Sequence, residues 1–248
     1  MGHEYSEHFG HQIYGETIGL MWARLVNAIL ASGKKSFDED RERIALSNVR
    51  VKSAAQNYPD TIIERHSNAT QLKAMLDFMF SRDVMEDIDV VHSFSPGAKS
   101  YRQRIKDGKM VEFVIERLSL IPESKKAVIV FPTYDDYAAV MRNHRDDYLP
   151  CLVSIQFRLI PEDDSYVLNT NFYSRSMDVW QKGHGNFLSM AVLSDHICRE
   201  ISARIGKDIR LGPIDGMICD VHIYHEKYAE AQAHMAKLNL EILEPANL

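Results

Sequence analysis

Two runs, "LVSIQFRLI" (residues 152–160) and "YVLNTNFYS" (residues 166–174), constrain the fold of this chain more than any other feature. Both are rich in β-branched and aromatic residues, and they flank "PEDDS", a turn-like insert, so they predict an antiparallel hairpin. Strands need partners and a covering layer, and the flanking sequence supplies both. "AVIVF" (residues 127–131) and "MICDVHIY" (residues 217–224) read as further strands. Apolar residues at Ile13, Ile18, Met21, Leu25 and Ile29 recur at helical spacing, predicting a helix over residues 13–30 with Gly33 as C-cap. Helices are also expected over residues 70–80, 186–205 and 225–238. No repeat, low-complexity tract or linker interrupts the chain. The expected fold class is α+β, a single domain over residues 1–248 with a mixed, mostly antiparallel sheet packed against helices.

Composition narrows the partners. The 248 residues are 45% apolar and 26% charged, enough for a full core. A net charge of −6 leaves no global field that recruits nucleic acid or an anionic membrane. An anionic substrate must therefore meet a local cluster of cations. Cys151, Cys198 and Cys219 lack metal-type spacing and fit a reducing cytosol. With no bilayer-length apolar run and no signal-peptide core, a cytoplasmic protein is expected.

Polar residues crowd into one stretch, "FYSRSMDVWQKGHGNF" (residues 172–187). Arg175 and Ser176 suit a phosphate, since a guanidinium offers forked donors and a hydroxyl adds another; an ordinary pairing of Arg175 with Asp178 is the competing reading. Cys151 opens a strand after Pro150 and reads either as a small buried hydrophobe or as a nucleophile. His222 and Tyr224 alternate along an otherwise apolar strand, as paired donors for a ligand hydroxyl or as satisfied core groups. His184 reads as a solvated loop histidine, with a histidine that faces a ligand as the competing reading.

Taken together, the Pro-Cys before a strand, the Arg-Ser-x-Asp, the asparagine eight residues after that aspartate and the Asp-x-His-x-Tyr, in this order, resemble the thymidylate synthase family. The likeness runs from about Ser124 to Tyr228, and "PCL" and "RSMDVW" look most like its short, archaeal-type branch. Upstream, only "SYRQR" and the first helix fit the pattern.

That resemblance implies folate-dependent transfer of a one-carbon unit from 5,10-methylenetetrahydrofolate to C5 of a pyrimidine nucleotide monophosphate. Cys151 would attack C6, Asn186 would read the O4/N3 edge of a uracil-type ring, and Tyr101 would help remove the C5 proton. Arg175 and Ser176 would hold the phosphate and His222 and Tyr224 the sugar hydroxyl. Asp178 would anchor the pterin, and Trp180 would wall the folate side. Lys125 and Lys126, in "ESKKAV", stand where the family has Ser-Arg-Arg and would complete the partner subunit's phosphate site in a homodimer. Arg41 or Arg43 is the candidate N-terminal phosphate arginine, and Asp77 the one acid on its helix to replace a family glutamate.

The resemblance implies a 5-methyl product. A 5-hydroxymethyl product is the alternative, because the polar "KGHG" would admit water, residues 83–101 hold no tryptophan and a closing C-terminal segment is missing after "EPANL". A non-catalytic nucleotide-binding relative, and an unrelated hydrolase pairing Cys151 with His222, are more distant readings.

Overall fold

The structure is a computed structural model that describes residues 2–6, 10–67, 69–78, 80, 99–142 and 149–243. Strands β1 (His3–Ser6) and β2 (Gly10–Gly15) precede helix α1 (Ile18–Ser32), and β3 (Lys34–Asp38) and β4 (Arg41–Ser53) follow it. Helices α2 (Thr61–His66), α3 (Ala69–Phe78), α4 (Tyr101–Gly108) and α5 (Met110–Leu120) lead to β5 (Val128–Val130) and α6 (Tyr134–Arg142). Next come β6 (Leu152–Glu162), β7 (Ser165–Ser174), the short β8 (Met177–Asp178) and a π-helical turn, Val179–Gly183. Helix α7 (His184–Ile205), strand β9 (Ile209–Tyr224) and helix α8 (His225–Leu243) complete the order.

Among the described residues all nine strands join one sheet, ordered β1-β2-β4-β9-β7-β6-β5, with β3 also on β4 and β8 also on β9. β2–β4, β7–β9 and β8–β9 run parallel and the other ladders antiparallel. The fold is thus the α+β type that the alternating runs predict. Helices α1, α5 and α7 cover one face, burying Trp22, Leu25, Ile29, Leu118, Phe187 and Ile197 against Ile155, Phe172, Ile214 and Ile218. The other face leaves Tyr14, Tyr173 and Met217 more than a third exposed and carries the Arg50–Asp215 ion pair. Among the described residues no helix is long and apolar enough to cross a membrane.

The hairpin forms as expected, β6 against β7, with Asp163 at φ 49° in its turn. The first helix differs from expectation. Residues Gly10–Gly15 are a strand, Ile13 pairing with Val51, and the helix starts only after Thr17, whose hydroxyl accepts from the Leu20 N–H at 3.2 Å. Gly15 lies so near α1 that a Cβ there would sit 2.3 Å from the Met21 nitrogen, so the chain turns where only glycine fits. Gly33 does follow the helix, with its N–H bonded to the Ile29 carbonyl. β9 begins eight residues earlier than "MICDVHIY". Gly216 in that extension faces Phe172, whose ring would lie 2.2 Å from an added Cβ. A glycine that reads as a strand breaker is here the close approach of two strands.

One irregularity orients the site. In β4 both Leu46 and Val49 are buried, and in β9 both Ile218 and Val221 are. Simple alternation would separate such pairs onto opposite faces. Asn48 at φ 55° supplies the local bend that flips the side-chain register. Beyond it Val221 and Ile223 turn to the core, and Asp220, His222 and Tyr224 point to the other side of the strand.

Candidate active site

Cys151 stands at the start of β6, half-buried, and its carbonyl accepts from the Arg175 N–H at 2.8 Å and the Ser174 hydroxyl at 3.0 Å. The Arg175 guanidinium folds back over this junction: Nε donates to the Pro150 carbonyl at 3.1 Å and Nη2 to the Leu149 carbonyl at 2.6 Å, with Nη2 3.7 Å from Cys151 Sγ. The suspected Arg175–Asp178 pair is therefore not made. Among the described residues Nη1 keeps both of its N–H groups unused, a fork suited to an oxyanion. Ser176, half-buried, directly follows it.

Tyr101 joins the same group. Its hydroxyl oxygen accepts the Leu152 N–H at 3.0 Å, one residue from the thiol, and its ring meets Phe131 edge-on at 4.7 Å. The Ser100 hydroxyl caps α4 from the Gln103 N–H at 3.0 Å, fixing Tyr101 in the first turn. Arg104 then clamps that helix down. Its guanidinium, 3% exposed, bonds Asp136 at 2.6 and 2.7 Å and the Phe131 carbonyl at 3.0 Å. Burial works against the Asp136 carboxylate, yet hydrogen bonds from Arg104 and Thr133 outweigh it and hold the group below the usual carboxylate range.

A second group gathers on β9 and β4. His222 Nδ1 lies 2.9 Å from Asp220 Oδ1 and 3.0 Å from Arg43 Nη1, and Arg43 is bidentate to Asp220 at 2.5 and 3.0 Å. Tyr224 packs edge-on to His222 at 4.9 Å and donates its hydroxyl to Asp38 at 2.5 Å. Burial first, then the hydrogen bond to Asp38 and the Asp38 charge, push the Tyr224 phenol well above its ordinary pKa. Burial raises Asp220, but bonds from His222 and Arg43 prevail and keep it below the normal range. Of the two N-terminal arginines, Arg43 reaches this group, whereas Arg41 lies 3.7 Å from Glu226. Asp38, Arg43 and Asp220 escaped the sequence reading of the sugar site. The only signal for Asp220 was its place in "DVHIY".

Asp178 links the two groups. It pairs with His222 across β8–β9, and its buried carboxylate caps the π-helical turn, accepting from the N–H groups of Trp180 (3.1 Å) and Gln181 (3.0 Å) and from the Gln181 amide (2.6 Å). Oδ1 takes both backbone N–H groups and Oδ2 only the Gln181 amide, so Oδ2 retains a lone pair for a further donor without loss of the cap. Asn186 follows in the first turn of α7, half-buried, with no side-chain hydrogen bond among the described residues.

Other expectations change. Lys125 and Lys126 are exposed beside Gln156 and Phe157, five residues up β6 from Cys151, or about 17 Å at ~3.3 Å per residue. They do not reach this subunit's Cys151. Ser124 before them is buried, its hydroxyl accepting from Arg117 at 2.8 Å. His184 is not a solvated loop residue: it opens α7 at 1% exposure, with Trp22 tilted against it at 5.5 Å. Neither of its ring nitrogens has a well-formed hydrogen bond, and burial, only partly relieved by the Trp180 backbone, lowers its pKa to about 4. Trp180 also points inward, stacked between Trp22 (5.7 Å) and His234 (5.5 Å). It packs the core rather than walling an open cleft. The Asp77 side chain and residues 83–98 lie outside the described residues. Cys151 has no histidine partner among those described, and His222 lies four residues along β9 from Ile218, which pairs with Ser174. Among the described residues Cys151 and His222 therefore form no hydrolase dyad. No group of three or more metal-ligating side chains occurs among the described residues.

Known proteins are similar to this chain in sequence. The thymidylate synthase family pattern matches residues 65–244, which hold every candidate from Tyr101 to Tyr224. A Methanothermobacter thermautotrophicus protein named "Putative thymidylate synthase" is 22% identical over 222 residues, spanning 85% of this chain and 92% of that protein. The Buchnera aphidicola subsp. Baizongia pistaciae protein named "Thymidylate synthase" is 28% identical over 134 residues, 52% of this chain and 45% of that one.

Proposed function

The chain belongs to the thymidylate synthase family, folate-dependent one-carbon transferases acting on pyrimidine nucleotides, and we propose that it builds a 5-methyl group on a uridine-type monophosphate through Cys151. The observation that carries this reading is the grouping of the Cys151 thiol with the Arg175 guanidinium and the Tyr101 hydroxyl at the mouth of β6. C5 of a pyrimidine is a poor nucleophile until a thiolate adds to C6. The Cys151 sulfur donates that electron pair, and the displaced ring electrons collect on O4. Asn186 donates its amide N–H to this oxygen and accepts from N3–H, an arrangement that favours uracil over cytosine.

Arg175 Nη1 and Ser176 take the 5′-phosphate, so phosphate binding and thiol placement share one guanidinium. Because Tyr224 gives its proton to Asp38, its oxygen is left to accept one from the sugar hydroxyl. His222 Nε2 is left for the same hydroxyl, because Nδ1 is occupied by Asp220 and Arg43. Tyr101 is the base nearest the thiol and takes up the C5 proton. Methylenetetrahydrofolate supplies the one-carbon unit and the hydride that completes a methyl group. Asp178 holds the pterin by the lone pair left on Oδ2.

A dry site favours methyl over hydroxymethyl, and the turn that reads as polar in sequence is buried: Gln181, Gly183, His184 and Gly185 are all sealed. Two subunits complete the enzyme. Lys125 and Lys126 lie too far along β6 to reach their own Cys151, and the bare sheet face with Tyr14, Tyr173 and Met217 suits a second copy in a cytoplasmic homodimer. Mass spectrometry of the nucleotide product tests the reading. A gain of CH2 with stoichiometric dihydrofolate is expected; a gain of CH2O without dihydrofolate makes the enzyme a hydroxymethylase, and no product with any pyrimidine nucleotide overturns the proposal.

A further inference from the structure

Tyr224 and Asp38 come from strands that do not pair. β4 lies between β9 and β3, with Arg43 opposite Tyr224 on one side and Ser36 on the other, and Asp38 is opposite Arg41. The Tyr224 side chain crosses over β4, and its hydroxyl donates to Asp38 Oδ2 at 2.5 Å. Tyr224 is 7% exposed, whereas Asp38, at the end of β3 before Glu39 turns the chain at φ 52°, is open to solvent. A nearly buried phenol thus delivers its proton to a carboxylate at the rim of the sugar group.

The arginines beside Asp38 are committed elsewhere. Arg41, directly opposite it, lies 3.7 Å from Glu226, and Arg43 is bidentate to Asp220. Among the described residues Asp38 has no ion pair, and its Oδ1 accepts no hydrogen bond. One carboxylate oxygen therefore keeps its lone pairs beside the Tyr224 oxygen. Asp38 also lies outside residues 65–244, the span matched to the family.

Two acceptors side by side fit two hydroxyl donors on adjacent carbons. With Tyr224 accepting from one sugar hydroxyl, a ribose cis-diol brings a second within reach of Asp38, and an acidic side chain holds the ribose 2′-hydroxyl in dinucleotide sites in the same way. We propose that the site selects ribose, Asp38 Oδ1 accepting the proton of the 2′-hydroxyl, so that a ribonucleotide binds ahead of its 2′-deoxy counterpart. This inference rests on the assignment of His222 and Tyr224 to the sugar. A deoxynucleotide still enters, with water in place of the missing hydroxyl. Because Asp38 is exposed, the discrimination is about tenfold rather than the larger factor of a sealed polar pocket.

The test is calorimetry on the intact Cys151→Ser protein, which lacks the proposed nucleophile. It compares uridine 5′-monophosphate with its 2′-deoxy form, and the cytidine pair in parallel, so that base preference cancels within each pair. The ribonucleotide should bind about 10-fold tighter, and the 2′-fluoro analogue, whose fluorine cannot donate, should bind like the deoxy form. In the same background Asp38→Ala should bring the ratio to about 1, whereas Tyr224→Phe should weaken both sugars and keep the preference for ribose. A purely structural role for Asp38 would weaken both sugars alike and leave the ratio unmoved. Equal or tighter binding of the deoxynucleotide, a 2′-fluoro analogue that binds as tightly as the ribonucleotide, a preference that survives Asp38→Ala in a protein that still melts cooperatively, or no saturable nucleotide binding overturns the proposal. Failure of the proposed reaction would instead appear as absence of product from the unmodified protein, with the calorimetric ratio unaffected.

Discussion

Arg175 Nη2 stands 3.7 Å from Cys151 Sγ, and the same guanidinium grips the carbonyls of Leu149 and Pro150. One side chain thus shapes the backbone that presents the thiol and keeps two N–H groups for a phosphate. Arg175→Ala should raise the nucleotide KM about 10- to 100-fold, the loss expected for one or two charged hydrogen bonds, and lower kcat as well. Arg175→Lys should recover little, because an ammonium cannot bridge two carbonyls and a phosphate in one plane. Steady-state kinetics of both variants check this; an unchanged kcat in Arg175→Ala would separate phosphate binding from thiol placement.

Asp38 sets the polarity of the sugar site by accepting the Tyr224 proton. Asp38→Asn should raise the nucleotide KM about 5- to 20-fold with a small change in kcat, since an amide that donates to Tyr224 reverses the direction of the bond. Tyr224→Phe should give a loss of similar size, and the double variant should lose little more than either alone. A double-mutant cycle measures it, and fully additive losses would contradict the coupling.

The hairpin and the order of the site segments were legible because each is local. β-branched runs and short motifs carry their own signal. What escaped lies in contacts between distant segments. The partners of His184 come from Trp22 in α1 and from Trp180, which His234 of α8 backs, so nothing next to "KGHG" announces burial. Arg104 meets Asp136 across 32 residues, and Arg43 meets Asp220 across 177. β4 was unread because "RERIALSNVR" carries charge on its exposed side and changes register at Asn48, masking the period of two. Arg41 and Arg43 were equivalent in sequence, and only the pairing of Arg43 with Tyr224 separates them.

Burial of neutral His184 makes the fold acid-sensitive. Its pKa falls from 6.5 to about 4, below its unfolded value, so the cost is absent above pH 6.5 and grows as pH falls toward 4. Over that window the unfolded chain takes up a proton that the folded one refuses, removing about 1.4 kcal/mol per pH unit and about 3 kcal/mol in all. Glu230 and His234 of α8 lie on the far side of Trp180, and burial also lowers the His234 pKa, so that ring adds its own share to the acid limb. His184→Leu should flatten the acid limb while leaving stability at pH 7 unchanged or higher. Denaturant melts from pH 4 to 7 test this, and an acid limb as steep as the wild type's would count against it.

Subunits should complement one another. A Cys151→Ser chain keeps its lysines and a Lys125→Ala, Lys126→Ala chain keeps its thiol, so a hybrid dimer contains one intact site. Mixing the two inactive proteins after reversible dissociation should restore about a quarter of wild-type activity. No recovery in verified hybrids would assign the lysines to another role.

The most direct measurement of the central claim is covalent trapping at the thiol. Incubation with 5-fluoro-dUMP and methylenetetrahydrofolate should yield a stable adduct, because fluorine at C5 blocks the proton removal that would release the enzyme. Peptide mass mapping should place the nucleotide on Cys151, and Cys151→Ser should bind the nucleotide yet form no adduct and retain less than about 1% of turnover. An adduct on Cys198 or Cys219, or a Cys151→Ser enzyme that still turns over at a few per cent of the wild-type rate, would contradict the account.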